Sequence, residues 1–182
     1  MNRFDQLKMH PALRTWSKLP QMVLQQAAWW ACVLWMGWLG PVAMLAFLLL
    51  HLWMLRNQWR TEVGMIVLAT VLGIALDNAL GALGAVTYVG TLRIGWAPIW
   101  LVAIWAGFGA TLGHSQAIFV RSLRNALLIG LLGGPLAYMG GEKLDRLTIS
   151  GPTGFLWISL LWGIVLVVLY WAARPKPAND SA

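Results

Sequence analysis

The sequence predicts an all-α fold, a polytopic membrane bundle of about six transmembrane helices with both termini in the cytoplasm. Three observations carry that expectation. Of 182 residues, 59% are hydrophobic and only 10% charged, which is too little polar surface for a water-facing globule. The apolar residues are gathered into six runs, each near the ~20 residues that a bilayer-spanning helix needs. The basic residues stand at the ends of those runs, mostly on one side of the implied membrane.

Residues 1–20 read as a cytoplasmic interfacial arm, with Arg3, Lys8, Arg14 and Lys18 set among Phe4, Leu7, Leu13, Trp16 and Leu19 and interrupted at Pro11. The basic stretch is long, the run after it is rich in Trp, and no small-x-small site closes it; we therefore expect an uncleaved first span. A membrane domain, residues 21–173, follows. Its runs are Met22 to Leu39, Pro41 to Leu55, Val63 to Leu83, Ala97 to Val120, Asn125 to Gly141 and Thr153 to Ala173, with Gly40-Pro41 expected as the first turn. Residues 174–182, with two prolines, read as a disordered cytoplasmic tail. Of the 13 basic residues, only Arg93, Lys143 and Arg146 fall on the outer side, which sets the orientation. Trp16, Trp59 and Trp171 then mark the inner interface, and Trp96 and Trp157 the outer. The net charge of +7 is spread over helix ends and forms no stripe, so a nucleic-acid partner is not expected. A single cysteine, Cys32, excludes an internal disulfide and a CxxC motif, and reads as a small packing residue.

Within the third run, Asp77 and Asn78 interrupt an apolar stretch. Asp77 lies on a stripe of small residues, Ala69, Gly73, Gly81 and Ala85, so it should face another helix and not lipid. An ionisable group at membrane depth costs roughly 2.5 kcal/mol or more, which makes Asp77 a site candidate by default. Depth counting at 1.5 Å per residue places Asp77 about 21 Å and Tyr138 about 20 Å from the cytoplasmic ends of their helices, so a phenol-to-carboxylate hydrogen bond is geometrically allowed. Asn78 points about 100° away and is expected to bond a different helix. Gly133-Gly134-Pro135 suggests a bend or local opening just before Tyr138. Further stripes, Gly109-Gly113-Ala117, Gly133-Ala137-Gly141 and Ala126-Gly130-Gly134, place the third, fourth and fifth spans at the packed centre. The leucine-rich second span and the sixth are left to face lipid.

Other constellations are weaker. His114 and Ser115 lie about 16 Å below Asp77 by the same count, which rules out a Ser-His-Asp triad unless a helix is broken. His51 and His114 share a level but show no carboxylate companion, so no metal and no cofactor are expected. Gln25, Gln26 and Gln116 make that level an ordinary polar layer. In the outer loop, Glu142 can pair with Arg146, or gate with Lys143 the mouth above Asp77 and Tyr138, lined also by Thr87, Tyr88 and Arg93.

Several local motifs together resemble an uncharacterised proteobacterial inner-membrane family, the domain of unknown function twenty-eight seventy-eight. They are Gln26 with Trp30 and Cys32-Val33, Leu72-Gly73 with Asp77, Ala97-Pro98-Ile99-Trp100-Leu101 with Trp105-Ala106-Gly107-Phe108, and Gly134-Pro135-Leu136-Ala137-Tyr138 with Gly141. None is a catalytic signature. Where the family tends to carry a small neutral turn after the tyrosine, this chain has Glu142-Lys143. The resemblance implies a small multi-pass protein of the bacterial inner membrane, and, because members tend to be encoded near enzymes that modify unsaturated or cyclopropane fatty acids, a connection to lipid.

The expectation from sequence is therefore an accessory or enzyme of membrane-lipid modification, with a groove between the third, fourth and fifth spans. Asp77 and Tyr138 would stand near its head, and Trp100, Trp105 and Phe108 would touch an acyl chain. The alternatives are a small transporter that couples a solute to a proton on Asp77, and a scaffold in which Asp77 is inert. Expected partners are membrane lipid and a membrane protein or a second copy of the chain.

Overall fold

A computed structural model describes residues 19–174, and these are mostly helical. The expected interfacial arm up to Lys18 and the tail from Pro175 lie outside the described residues. The arm's last two residues, Leu19 and Pro20, already belong to the first helix. Six α-helices follow among the described residues: α1 (Leu19–Leu34), α2 (Leu39–Met54), α3 (Trp59–Ala82), α4 (Ile99–Thr111), α5 (Leu123–Lys143) and α6 (Gly151–Ala172). Arg56–Gln58 and Ala117–Val120 form short 3₁₀ turns. Two segments are long and apolar enough to cross a membrane, Arg56–Ala82 and Gly151–Ala172.

Most run boundaries fall within a few residues of those expected, and the exceptions have physical causes. The α1–α2 turn lies at Trp35–Trp38, not at Gly40-Pro41, which sit inside the first turn of α2. Proline is tolerated there because its missing N–H has no intrahelical partner. Gly40 is needed for a different reason: a Cβ on it would stand 2.5 Å from the Cys32 Cα, so α1 and α2 cross almost backbone to backbone, with Cys32 buried between them. The larger departure is the fourth span. In place of one helix from Ala97 to Val120, α4 ends at Thr111, and residues 112–116 form a turn. Thr111 Oγ1 bonds back to the carbonyls of Gly107 and Phe108, and the N–H groups of His114 and Gln116 both return to the Thr111 carbonyl.

The short α4 is the centre of the molecule. Trp100, Leu101, Val102, Trp105, Phe108 and Ala110 are all buried on it, and α1, α2 and α3 pack around it. Small residues make the closest approach, as the stripes imply. A Cβ on Gly109 would stand 2.9 Å from the Ala69 Cβ, and one on Gly73 would overlap the Trp105 ring. The fifth span, however, does not join this centre. Helix α5 packs on α6, where Gly130 meets the Gly163 backbone and Gly134 the Trp162 ring, while α6 also packs against α3. Helix α5 runs unbroken through Pro135, so the expected local opening is absent. Its N-terminus is capped by the Ser122 Oγ, which accepts from the Asn125 N–H. Its C-terminus closes on Asp145 in the left-handed region, with the Arg146 N–H returning to the Gly141 carbonyl.

One end of the bundle carries a small β cap. Strand β1 (Val86–Tyr88) pairs antiparallel with β4 (Leu147–Ile149), and β2 (Arg93–Ile94) pairs with β3 (Ala97–Pro98). The β2–β3 turn places Gly95 at φ +66, and a Cβ there would also collide with the Asn78 carboxamide.

Candidate functional site

Asp77 is fully buried near the cap end of α3 and gathers donors from three elements. The Tyr88 hydroxyl of β1 donates to Oδ1 at 2.8 Å, the Tyr138 hydroxyl of α5 donates to the same oxygen, and Trp105 Nε1 of α4 donates to Oδ2 at 2.9 Å. The expected Asp77–Tyr138 bond is thus present, and Trp105 and Tyr88 join it. An indole N–H can only donate, and two phenols share the other oxygen, a pattern that suits a carboxylate. Burial first, then the neighbouring Tyr138 and Asp77, push the Tyr88 phenol well above its ordinary value, so it keeps its proton.

Asn78 holds the cap and not a helix. Its Nδ2 donates to the carbonyls of Ile74 and Ile94, and its Oδ1 accepts from the Trp96 N–H at 2.7 Å. Trp100 Nε1 donates to the Val89 carbonyl, and Arg93 donates to the carbonyls of Gly90 and Tyr88. The adjacent Asp77 and Asn78 therefore clamp the two halves of one cap, β1 through Tyr88 and the β2–β3 turn through Trp96.

Glu142 does not gate this hub. Its Oε1 accepts from the Ile149 N–H at 2.8 Å and fixes β4, while Lys143 is exposed. Arg146 does not pair with Glu142 either. Its Nε donates to the Val33 carbonyl at 2.6 Å, near the C-terminus of α1.

Beside the Asp77 hub lies a cavity of about 290 Å³ between α1, α4 and α5. Trp29, Trp100, Trp105, Phe108, Tyr138 and Trp162 supply most of its aromatic wall, and Arg146 stands at its cap end. Trp105 and Trp162 stack with centroids 4.7 Å apart, and Phe108 meets both rings. Along α5 the lining runs from Ile129 to Gly141, about 18 Å at 1.5 Å per residue, which makes the cavity a slot. The two small stripes of α5 have different uses: Gly130 and Gly134 close on α6, whereas Gly133, Ala137 and Gly141 leave room for the slot. Among the described residues, Gln116 Oε1 on the slot lining is buried without a hydrogen-bond partner, whereas the Trp162 indole interacts with the Tyr138 hydroxyl. Asp77 itself does not line the slot; the Trp105 and Tyr138 that it holds do.

A second polar cluster lies 15 residues earlier on α3, about 22 Å away along the axis. The premise that His51 and His114 lack a carboxylate does not hold. Glu62, buried in the first turn of α3, accepts from or faces His51 Nε2 at 3.0 Å and His114 Nε2 at 3.1 Å. The two rings meet edge on at 5.4 Å. The break after α4 brings His114 here, far from Asp77, so the hydrolase triad stays excluded. Gln21, also missed, is buried on α1 and bonds His51 Nδ1, the Ala110 carbonyl and the Ser115 N–H. A usable signal existed for Glu62: it is a lone acid at the start of an apolar run, at the level where both histidines were already placed.

Fold and site together define a helical protein with two apolar segments long enough to cross a membrane, a buried carboxylate hub and an aromatic slot beside it. The chain belongs to the family described as a protein of unknown function, DUF2878, whose model matches residues 18–168. No curated protein and no solved structure matches it.

Proposed function

We propose that this is a six-span protein of the bacterial inner membrane that holds the acyl chain of a membrane lipid or fatty acid in the α1–α4–α5 slot, as an accessory to lipid modification. The observation that carries the reading is the slot itself, elongated, aromatic and walled by small residues where an α5 of ordinary composition would fill it. Its volume is at the lower edge of the ~300–1,000 Å³ usual for ligand sites, which suits a single chain. The unpartnered Gln116 carbonyl offers an acceptor to a polar group on that chain. Asp77 acts as a positioning residue, holding Trp105 and Tyr138 in the wall. Exposed side chains such as Leu49, Val71, Leu132, Leu136 and Ile164 supply an apolar surface on the peripheral helices, which supports burial in lipid. At about 20 Å, α4 is short of the ~30 Å hydrocarbon thickness, and the buried strand β3 and the partly buried turn at 112–120 extend it at its two ends.

Proton-coupled transport is less well supported, because Asp77 is saturated by three donors and does not line the slot. The deciding experiment is a lipid profile of cells lacking the gene, complemented with wild type or with Ala137→Trp, which fills the slot from an exposed turn of α5. An acyl species restored by wild type and not by the filled variant supports the reading. An unchanged profile, or equal restoration by both, overturns it.

A further inference from the structure

We propose that His51, Glu62 and His114 form a binding site for a divalent transition-metal ion of the zinc class, at the opposite end of the molecule from the Asp77 hub. Two imidazoles and one carboxylate are donors that such ions favour. One ligand atom from each lies within 4.8 Å of the others. The nitrogen-to-oxygen separations of 3.0 and 3.1 Å are close to the ~3.3 Å edge spanned by two ligands at zinc bond lengths of ~2.0–2.1 Å and a tetrahedral angle. A small spreading of the three groups admits the ion, and its fourth position stays open.

The surroundings favour a cation. Glu62 is only 2% exposed, and among the described residues its hydrogen-bonding and ion-pair partners are the two imidazoles, with no Lys or Arg. A buried carboxylate held this way gains most from a divalent charge between it and the rings. The ligands come from α2, the first turn of α3 and the turn after α4, so an ion here ties three segments that are distant in sequence. Gln21 frames the site from α1, touching the His51 ring and the backbone beside His114.

Gln21 also predicts how the ion enters. Its Nε2 donates to the Ala110 carbonyl and faces His51 Nδ1, so without metal the His51 proton sits on Nε2 and points at Glu62. A metal replaces that proton, the ring carries its hydrogen on Nδ1, and the Gln21 carboxamide must turn its oxygen toward the ring. Metal uptake therefore releases the Ser115 N–H and Ala110 carbonyl from Gln21.

The test uses the full chain purified in detergent without a histidine tag, incubated with Zn²⁺ or Co²⁺, freed of excess metal by gel filtration, and assayed by elemental analysis and cobalt absorption. Wild type should retain about one ion per chain, with a cobalt spectrum of low coordination number. Glu62→Gln and His114→Ala should weaken binding by more than the ~10–100-fold that loss of an outer-shell partner costs. Gln21→Leu should fall within that range. Glu62→Gln is nearly isosteric, so its elution as wild type separates loss of a ligand from loss of the fold. A folded wild type that retains no metal, or variants that retain as much as wild type, would overturn the proposal.

Discussion

Asp77 is the side chain that ties the cap strand β1 to the helices α4 and α5. Three donors from β1, α4 and α5 converge on it, and each is buried. Asparagine can replace it in part: its carbonyl can accept from Trp105 Nε1, and its amide can donate to the two phenol oxygens if their hydroxyls turn away. Leucine leaves three buried donors without a partner, each costing ~1–3 kcal/mol. We therefore predict that Asp77→Asn lowers stability in detergent by about 1–3 kcal/mol and Asp77→Leu by more than twice that, read as thermal unfolding by circular dichroism. Equal effects of the two would mean that the hydrogen bonds are not what hold this corner.

Among the elements, α4 and α5 show how small residues decide packing. Gly73 on α3 exists for the Trp105 ring of α4, since a Cβ would overlap it. Gly73→Ala should cost about 1–3 kcal/mol by overpacking and should shift the tryptophan emission, because the added methyl presses the ring toward the slot that it lines. On α5 the outcome depends on the face. Gly134→Val drives a side chain into the Trp162 ring and should separate α5 from α6, whereas Gly133→Ala meets only ordinary contact with Ile129 and should change thermal stability by less than ~1 kcal/mol. Comparing the two by thermal unfolding checks the assignment of the stripes, and comparable losses would contradict it.

For the whole molecule, the two polar clusters occupy opposite ends of α3, and the basic residues are divided in the same way. Arg56, Arg60, Arg121 and Arg124 lie at the Glu62 end, and Arg93, Lys143 and Arg146 at the cap end. If the positive-inside rule governs insertion, reporter fusions should place the cap outside the cytoplasm and the Glu62 end within it. A cytoplasmic signal from a fusion in the loop around Lys143 would contradict both the orientation and the six-span reading.

Composition and local periodicity were enough to place most of the helices and to mark Asp77, because helix-length apolar runs and buried charges are written in short stretches of chain, whereas Trp100 and Trp105 were marked through the family resemblance and the lipid reading that it implies. The equal depth of Asp77 and Tyr138 also followed from counting along two helices. What counting along separate helices could not show is which faces meet. The break after Thr111, the docking of α5 on α6 in place of α4, the reach of Tyr88 from β1 and the placement of Glu62 between two histidines all depend on contacts between residues distant in the chain. The Gly133-Ala137-Gly141 stripe shows why: a small residue permits a close neighbour or an empty space, and only the position of the other helices decides between them.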